Sequence, residues 1–276
     1  MQQICFQMDI RFYKYQGTGN DFIMLDGREF SLGEDPVPQV KKLCHRKFGI
    51  GADGLIVLQE KEGYDFEMCY YNADGSQSMC GNGARCAVAF AAFLGIITEE
   101  THFLAIDGPH RARISGDWVA LEMGKVQGIQ SREEAFFVDT GSPHHVVFVD
   151  DVANHDVIGL GRKIRNDRER YPHGTNVNFV QPIGKDHIQV RTYERGVEDE
   201  TLSCGTGVTA CALVYGSRHK QQSIKISTPG GNLEVSFAED NNGGFESIIL
   251  SGPAKQVFSG TISLAVEAVR ERENLE

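Results

Sequence analysis

An internal repeat constrains the fold of this chain more than any other feature of its sequence. Four segments of the first half recur in the second half at a nearly constant spacing. The matched segments are 18–20 with 140–142, 54–59 with 176–181, 66–72 with 188–194 and 80–83 with 204–207, at offsets of 122, 122, 122 and 124 residues. Two unrelated α/β domains with similar glycine turns would not keep this register. We therefore predict a duplicated architecture.

Each copy combines short strands with one helix. Short β-branched and aromatic runs such as 188–193 predict strands. An alanine-rich segment follows each Cys-Gly-x-Gly motif and predicts a helix that ends at Gly95 in the first copy and at Gly216 in the second. Because these helices are apolar on most faces, we expect them to be buried with sheet around them.

The polar stretch 127–134 predicts the linker between the copies. The first domain then spans 1–127 and the second 128–257. The charged segment 267–276 is predicted to be a solvated helix or tail.

Composition narrows the class of protein. The net charge of −11 argues against nucleic acid and against an anionic membrane surface as partners. No apolar run approaches the roughly 20 residues of a membrane-spanning helix. The N-terminus lacks the pattern of a signal peptide, so we expect a cytoplasmic protein. Seven cysteines with no C-x-x-C pair argue against both a disulfide framework and structural zinc.

Cys80 and Cys204 are the candidate reactive groups, since each precedes a predicted helix. The N-terminus of a helix binds anions and lowers the pKa of a thiol from about 8.5 toward neutrality. In pseudo-symmetric halves the two thiols should face each other across a bound carboxylate. This arrangement favours racemisation or epimerisation at the carbon next to the carboxylate. The other cysteines are expected to fill the core: Cys5, Cys44, Cys69, Cys86 and Cys211.

Polar residues at predicted strand ends or in glycine loops are candidate substrate contacts. They are Asn20, Asn72, Asn176, Glu194 and Arg195. Arg195 is suited to pair with a carboxylate, Glu194 with an ammonium group, and the asparagines with either.

The motifs together resemble those of the diaminopimelate epimerase family. The resemblance covers about residues 10–264. Its motifs are Gly17-Thr18-Gly19-Asn20-Asp21-Phe22, Gly49-Ile50-Gly51-Ala52-Asp53-Gly54, Asn72-Ala73-Asp74-Gly75-Ser76, Cys80-Gly81-Asn82-Gly83-Ala84-Arg85-Cys86, Gly141-Ser142-Pro143-His144, Gly174-Thr175-Asn176-Val177-Asn178-Phe179, Tyr193-Glu194-Arg195-Gly196, Cys204-Gly205-Thr206-Gly207 and Thr228-Pro229-Gly230-Gly231.

The resemblance implies an α+β fold of two pseudo-symmetric domains, each a barrel-like, mostly antiparallel sheet around a central helix. It implies that the final strand, about 258–276, returns to the first domain. The implied reaction interconverts LL- and meso-diaminopimelate in lysine and peptidoglycan precursor synthesis, without pyridoxal phosphate or metal. A homodimer is also implied.

The resemblance assigns the acid/base roles to Cys80 and Cys204. The implied substrate contacts are Asn20, Asn72, Gly81, Asn82, Asn176, Glu194, Arg195, Gly205 and Thr206. Gly54, Ser142 and His144 are further candidates. Ser142 stands where some members have asparagine, the loop from Asn72 to Cys80 is one residue shorter than the usual pattern, and residues 1–9 lie outside it.

Three alternatives remain open at this point. A proline or histidine racemase would share the two-cysteine arrangement, although proline racemases carry histidine where this chain has Asn82. A thiol redox sensor would use the same two cysteines to form a disulfide. A metal site could draw on the nine histidines, but their spacing matches no ligand pattern.

Overall fold

The computed structural model describes residues 5–267, and within them it contains four helices and seventeen strands. The helices are α1 (Val37–Cys44), α2 (Gly81–Phe93), α3 (Val157–Arg165) and α4 (Gly205–His219). The strands of the first copy are β1 (Cys5–Gly17), β2 (Asn20–Asp26), β3 (Gly54–Gln59), β4 (Glu67–Asn72), β5 (Glu100–Ala105), β6 (Gly108–Ser115) and β7 (Trp118–Glu122).

The strands that follow β7 are β8 (Gln130–Arg132), β9 (Ala135–Asp139), β10 (Pro143–Phe148), β11 (Asn176–Gly184), β12 (His187–Glu194), β13 (Asp199–Thr201), β14 (Ser223–Thr228), β15 (Gly231–Glu239), β16 (Phe245–Pro253) and β17 (Lys255–Glu267).

Strand pairing confirms the predicted duplication. From β1 to β7, neighbouring strands pair in the order antiparallel, parallel, antiparallel, parallel, antiparallel, antiparallel. The strands β9, β10, β11, β12, β14, β15 and β16 repeat this order with the same directions. Even the register is kept, because Leu55 lies opposite Tyr71 and Val177 lies opposite Tyr193.

Two further strand pairs connect the halves. β7 pairs antiparallel with β16, so one sheet runs through both copies. After β16 the chain crosses back, and β17 pairs antiparallel with β1 along almost its whole length. The first sheet therefore contains the last described strand of the chain. The division of the chain at residues 127 and 128 stays a prediction.

Helices α2 and α4 form the cores of the two halves, as their apolar composition predicts. From Asn82 to Ala91, every residue of α2 is buried. Seven of these ten residues, Ala84 and 86–91, belong to the apolar core of the first copy, where the small alanines let strands approach closely and Phe90 fills the remaining space. In α4 the buried run extends from Gly207 to Gly216. Burial of an apolar side chain the size of Phe90 contributes about 1.5–3 kcal/mol to folding.

Helices α1 and α3 are absent from the sequence prediction. Both are short, with eight and nine residues, and they lie outside the sheets. The side chain of Asp156 caps α3 by accepting a hydrogen bond from the backbone N–H of Gly159. The buried side of α1 is limited to Val40, Leu43 and Cys44, too few positions to give a clear helical period.

Two details of the prediction are wrong. Gly95 does follow the end of α2 with a positive φ of 71°, but Gly216 lies inside α4, which continues to His219. A Cβ at Gly216 would lie 2.6 Å from the ring of Phe237, so this glycine serves packing rather than termination. In addition, the predicted linker 127–134 contains the strand β8, which pairs with β9.

The two halves meet through their glycine loops. A Cβ at Gly230 would lie 1.9 Å from the backbone oxygen of Thr18, so no larger residue fits there. Gly19 packs in the same way against Leu202. These contacts bring the turn before β2 in the first copy against the second copy beside α4. Within residues 5–267, no helix is long and apolar enough to cross a membrane.

Candidate active site

Cys80 and Cys204 occupy matching positions at the starts of α2 and α4. Each is the N-cap residue of its helix and has an extended backbone, so its thiol lies beside the first unpaired backbone N–H groups. The two helix starts touch: a Cβ at Gly205 would lie 3.8 Å from the Cα of Gly81 and 3.6 Å from the side-chain oxygen of Asn82. The structure thus brings together the two thiols that the sequence singled out.

Asparagine side chains surround the first thiol. The sulfur of Cys80 lies 3.5 Å from Oδ1 of Asn20, and Asn82 donates to the same oxygen at 3.4 Å. The amide of Asn82 also donates to the backbone oxygen of Ser203, 3.2 Å away in the second half. Asn20 in turn donates to Asp53 at 2.7 Å. Asn20 and Asn82 therefore lie together at the first thiol.

A hydroxyl and an imidazole lie beside the second thiol. The sulfur of Cys204 is 3.5 Å from Oγ1 of Thr206, and this hydroxyl is 3.0 Å from Nε2 of His144. His144 is fully buried, and burial lowers its pKa to about 3, with the positive charge of Arg195 acting in the same direction. The imidazole is therefore neutral at pH 7.

Burial dominates the ionisation of both thiols. It raises the pKa of Cys80 to about 11 and that of Cys204 to about 12. The backbone N–H groups of Asn82 and Gly83 lower the pKa of Cys80, as expected at a helix N-terminus, but this effect is smaller than desolvation. The prediction of thiol pKa values near neutrality is therefore wrong.

Glu194 is the acidic group shared by the two thiols. It is the last residue of β12, and it accepts a hydrogen bond from Thr201 at 2.9 Å. Burial raises its own pKa, while its negative charge raises the pKa of both Cys80 and Cys204. A cation placed against this carboxylate would remove that repulsion and lower the pKa of both thiols.

Asn176 and Arg195 are joined at the edge of the second sheet. The backbone N–H of Arg195 donates to Oδ1 of Asn176 at 2.9 Å. The amide group of Asn176 donates to Ser142 and to the backbone oxygen of Pro143. Ser142 departs from the family pattern, but its hydroxyl accepts a hydrogen bond from Asn176, which matches the pattern.

Asn72 belongs to its own loop in this structure. Its amide nitrogen donates to Ser76 and Ser78, and its oxygen accepts from Tyr70 at 2.8 Å. Gly54 begins β3 directly opposite Asn72, and a Cβ there would lie 2.4 Å from the ring of Tyr70. These bonds hold Asn72 at the end of β4, and no bond joins it to either thiol among the described residues.

Sequence reasoning missed several residues beneath this site. Asn178 is fully buried and donates to His144, and Thr192 donates to Asn178. Arg85 is fully buried and donates to Asn82 at 3.0 Å. The sequence did contain one signal for Asn178. A polar residue at an inward position of the largely apolar strand β11 predicts a buried hydrogen-bond partner.

The other cysteines behave as expected where their side chains are described. Cys44, Cys86 and Cys211 are buried and Cys69 is half-buried, all with free thiols. The side chain of Cys5 and the segment 268–276 lie outside the described residues. Within the described part of the chain, no cluster of three or more His, Cys, Asp or Glu side chains could hold a metal ion.

Comparison with known proteins agrees with this geometry. The family model described as "Diaminopimelate epimerase" matches residues 12–129 and 136–257. The chain is 50% identical to the diaminopimelate epimerase of Flavobacterium psychrophilum, over 92% of this chain and 100% of that one. It is 43% identical to the diaminopimelate epimerase of Chlorobaculum tepidum, over 90% and 99%. Its fold resembles that of a Bacillus anthracis phenazine biosynthesis protein of the PhzF family, with a TM-score of 0.71, 14% identity and coverage of 92% and 99%.

Proposed function

The chain belongs to the diaminopimelate epimerase family, and we propose that it interconverts LL- and meso-diaminopimelate with Cys80 and Cys204 as the acid/base pair. The observation that carries this proposal is the pair of thiols at the starts of two touching, pseudo-symmetric helices. Such a pair addresses a tetrahedral carbon from both faces, which is what inversion requires.

The reaction needs one thiolate and one thiol. The thiolate of one cysteine takes the α-proton and becomes a thiol, and the electron pair stays on the substrate as a carbanion. The thiol of the other cysteine then delivers its proton to the opposite face and becomes the thiolate. The substrate carboxylate shares the negative charge, and the two helix N-termini stabilise it. No redox partner is needed, since the protons and electrons balance.

Substrate binding lowers the pKa of both thiols through Glu194. With pKa values of about 11 and 12, both thiols are protonated at pH 7. The substrate ammonium group pairs with Glu194 and offsets the part of both raised pKa values that comes from this carboxylate, which is smaller than the part that comes from burial. Pairing of Glu194 with the ammonium group therefore favours the thiolate form of both cysteines.

The remaining candidates bind the amino acid. The backbone N–H groups at Gly81-Asn82 and Gly205-Thr206 receive the reacting carboxylate. Arg195, Asn176 and Asn20 bind the other polar groups of the substrate, and Asn72 contributes to that binding when its side chain leaves the bonds of its own loop. Gly54 keeps space beside Tyr70, and Ser142 holds Asn176 in place.

Proton NMR in deuterium oxide tests the reaction and the substrate together. Reduced enzyme is incubated in separate tubes with LL-diaminopimelate, proline and histidine. We expect the α-proton signal of diaminopimelate alone to disappear as the meso isomer forms. Exchange confined to proline or histidine would keep the thiol chemistry but contradict the substrate, and no exchange in any tube would contradict both.

Three single variants test the residues. Cys80→Ala and Cys204→Ala should each abolish inversion, because each leaves one face without an acid or base. Cys86→Ala is the matched control, since it lies in α2 and its counterpart in α4 is Ala210. Inversion that persists in Cys80→Ala under reducing conditions would overturn the two-thiol mechanism and favour the redox alternative.

We also infer a homodimer in the cytoplasm. Thiol catalysis requires reduced cysteines, which a reducing compartment maintains. The six cysteines whose side chains are described carry free thiols, in agreement with this inference. Analytical ultracentrifugation of the full chain measures the oligomer, and a monomer at micromolar concentration would contradict the dimer.

A further inference from the structure

A buried polar chain beneath Cys204 is not used by the proposed mechanism. Thr192, Asn178 and His144 lie on the neighbouring strands β12, β11 and β10, and each is at most 3% exposed. Thr192 donates to Oδ1 of Asn178 at 3.0 Å, and Nδ2 of Asn178 lies 3.1 Å from Nδ1 of His144. Buried polar groups in such a row are costly unless every one is bonded.

The amide of Asn178 has only one consistent orientation. Its nitrogen donates one hydrogen to the backbone oxygen of His145 at 3.1 Å, and a carbonyl oxygen can only accept. The second hydrogen points at Nδ1 of His144, and the amide oxygen receives the hydroxyl of Thr192. All three hydrogen-bonding positions are thus assigned without ambiguity.

This orientation fixes the tautomer of His144. Because Asn178 donates to Nδ1, that nitrogen carries no hydrogen and the neutral ring carries its hydrogen on Nε2. Nε2 then donates to Oγ1 of Thr206, 3.0 Å away. The Thr206 hydroxyl has one hydrogen of its own, and the sulfur of Cys204 is within its reach at 3.5 Å. From Thr192 through Asn178 and His144 to Thr206, each side chain thus donates to the next, and the Thr206 hydroxyl is free to donate to the Cys204 sulfur.

We propose that Asn178 and Thr192 are positioning residues that hold His144 in its Nε2–H tautomer, so that the Thr206 hydroxyl donates to the Cys204 sulfur when it is a thiolate. The proposal deepens the proposed function and rests on it for its catalytic meaning. Cys80 has no counterpart of this row, because the matching positions in the first half are Phe22, Ile56 and Tyr70. The two thiols are therefore stabilised by different means.

Other charged groups face the same thiol and must stay constant in a test. Glu194 on β12 and Cys80 at the start of α2 both raise the pKa of Cys204, and Arg195 acts on His144. The variants Asn178→Leu and Thr192→Val change none of these charges. Asn178→Leu removes the donor to Nδ1, whereas Thr192→Val removes only the hydroxyl that bonds the amide oxygen.

The first measurement compares alkylation of the two thiols within one molecule. Initial rates of iodoacetamide labelling at Cys80 and Cys204 are followed by peptide mass spectrometry between pH 7 and 11 without substrate. In Asn178→Leu we expect the Cys204 profile to move up by about one pH unit, a tenfold loss of thiolate, as for one charge-assisted hydrogen bond. The Cys80 profile should not move. Thr192→Val should give a smaller shift of the Cys204 profile. Thr192→Ser keeps the hydroxyl and should therefore show the same profile as the wild-type protein.

Nitrogen-15 NMR of the histidines gives a second readout that does not depend on activity. The wild-type protein should show an unprotonated Nδ1 and a protonated Nε2 at His144, and Asn178→Leu should show a mixture of both tautomers. Thr101→Val, which removes a buried hydroxyl bonded to Asp65 in the first half, serves as the matched control. If Asn178→Leu shifted the alkylation profiles of Cys80 and Cys204 equally, the variant would have disturbed the whole site and the proposal would be overturned. An unchanged His144 tautomer in Asn178→Leu would also overturn it. Neither result depends on whether diaminopimelate is the substrate.

Discussion

The two halves share the same order of strands and helices but differ in the side chains that lie beneath the starts of their central helices, α2 and α4. Under the start of α2 the floor is apolar: Phe22 and Tyr70 pack edge to face at 5.8 Å, and Phe22 and Ile56 would touch a Cβ added at Gly83. Under the start of α4 the three matching positions hold His144, Asn178 and Thr192, all joined by hydrogen bonds.

The same fold therefore accepts either apolar or polar side chains beneath the helix, provided that every buried polar group has a hydrogen-bond partner. The apolar floor leaves no polar group unpaired, and the amide of Asn178 has a partner for every hydrogen. Gly207 is required on the polar side, because a Cβ there would lie 2.5 Å from Oδ1 of Asn178. The two thiols are thus equivalent in the repeat, whereas the side chains beneath them differ.

A second difference lies one turn into the helices. Arg85 in α2 corresponds to Thr209 in α4, whose hydroxyl donates to the backbone oxygen of Gly205 at 2.9 Å. Arg85 is fully buried, and within residues 5–267 its Nε and Nη1 atoms have no hydrogen-bond partner. Its Nη2 atom donates to Asn82 and Thr18. This cation therefore orients the amide of Asn82 without a carboxylate partner.

The largest effect is expected when the polar floor is made apolar. His144→Phe copies the residue of the first half, removes the partner of Thr206 and leaves Cys204 without an oriented donor. Epimerisation, measured as kcat by optical rotation, should fall by about 10²-fold, in the range found for acid/base groups. Phe22→Leu is the control on the apolar side. It should lower the free energy of unfolding by about 1 kcal/mol and leave kcat near the wild-type value. Equal kcat for both variants would show that the polar floor is only structural.

A smaller effect is expected for Arg85→Met. The variant removes a buried cation that has no carboxylate partner, so the melting temperature should stay constant or rise. Asn82 loses its 3.0 Å donor, and kcat/KM should fall by about tenfold, the value of one hydrogen bond to a charged group. Calorimetry and kinetics on the same preparation separate the two quantities. A lower melting temperature with unchanged kinetics would contradict this role.

The smallest effect is expected on mild acidification, and in the second half alone. Burial lowers the pKa of His144 to about 3 and that of His145 to about 4, whereas Phe22 and Ile23 at the matching positions do not titrate. Because the unfolded chain binds protons first below about pH 6.5, stability is lost as the pH falls. From pH 7 to pH 6 the loss is about 0.7 kcal/mol per histidine.

Hydrogen exchange followed by mass spectrometry compares the halves in one sample. Protection of β10 and β11 should decrease at pH 6, while β2 and β3 keep theirs. Asp21 in the first half does not affect this comparison. Arg46 and Lys14 lower its pKa to about 2, so its contribution to the free energy of unfolding is lost only below about pH 4. Equal loss in both halves would show that acid sensitivity is not local to the polar floor.

The duplication and the two thiols could be predicted from sequence because both are local patterns. Glycines at positions where no other residue fits, and a cysteine directly before an alanine-rich run, are recognisable from a few neighbouring residues, and their spacing recurs in both copies. The helices α1 and α3 could not be predicted in this way, since eight or nine residues give too few turns for a period. The predicted helix end at Gly216 is wrong because the sequence does not distinguish a glycine that ends a helix from a glycine that packs against an aromatic ring.

The sequence by itself determined the repeat, the central helices, the family and the identity of the candidate residues, because chain spacing and residue type carry that information. The tertiary structure alone decided the ionisation of the thiols. Desolvation depends on what surrounds a sulfur from all sides, and it outweighs the helix N-terminus at Cys80 and Cys204. Tertiary structure also decided the row from Thr192 to Cys204, since its members come from three strands and one helix and meet only when the sheet closes around α4.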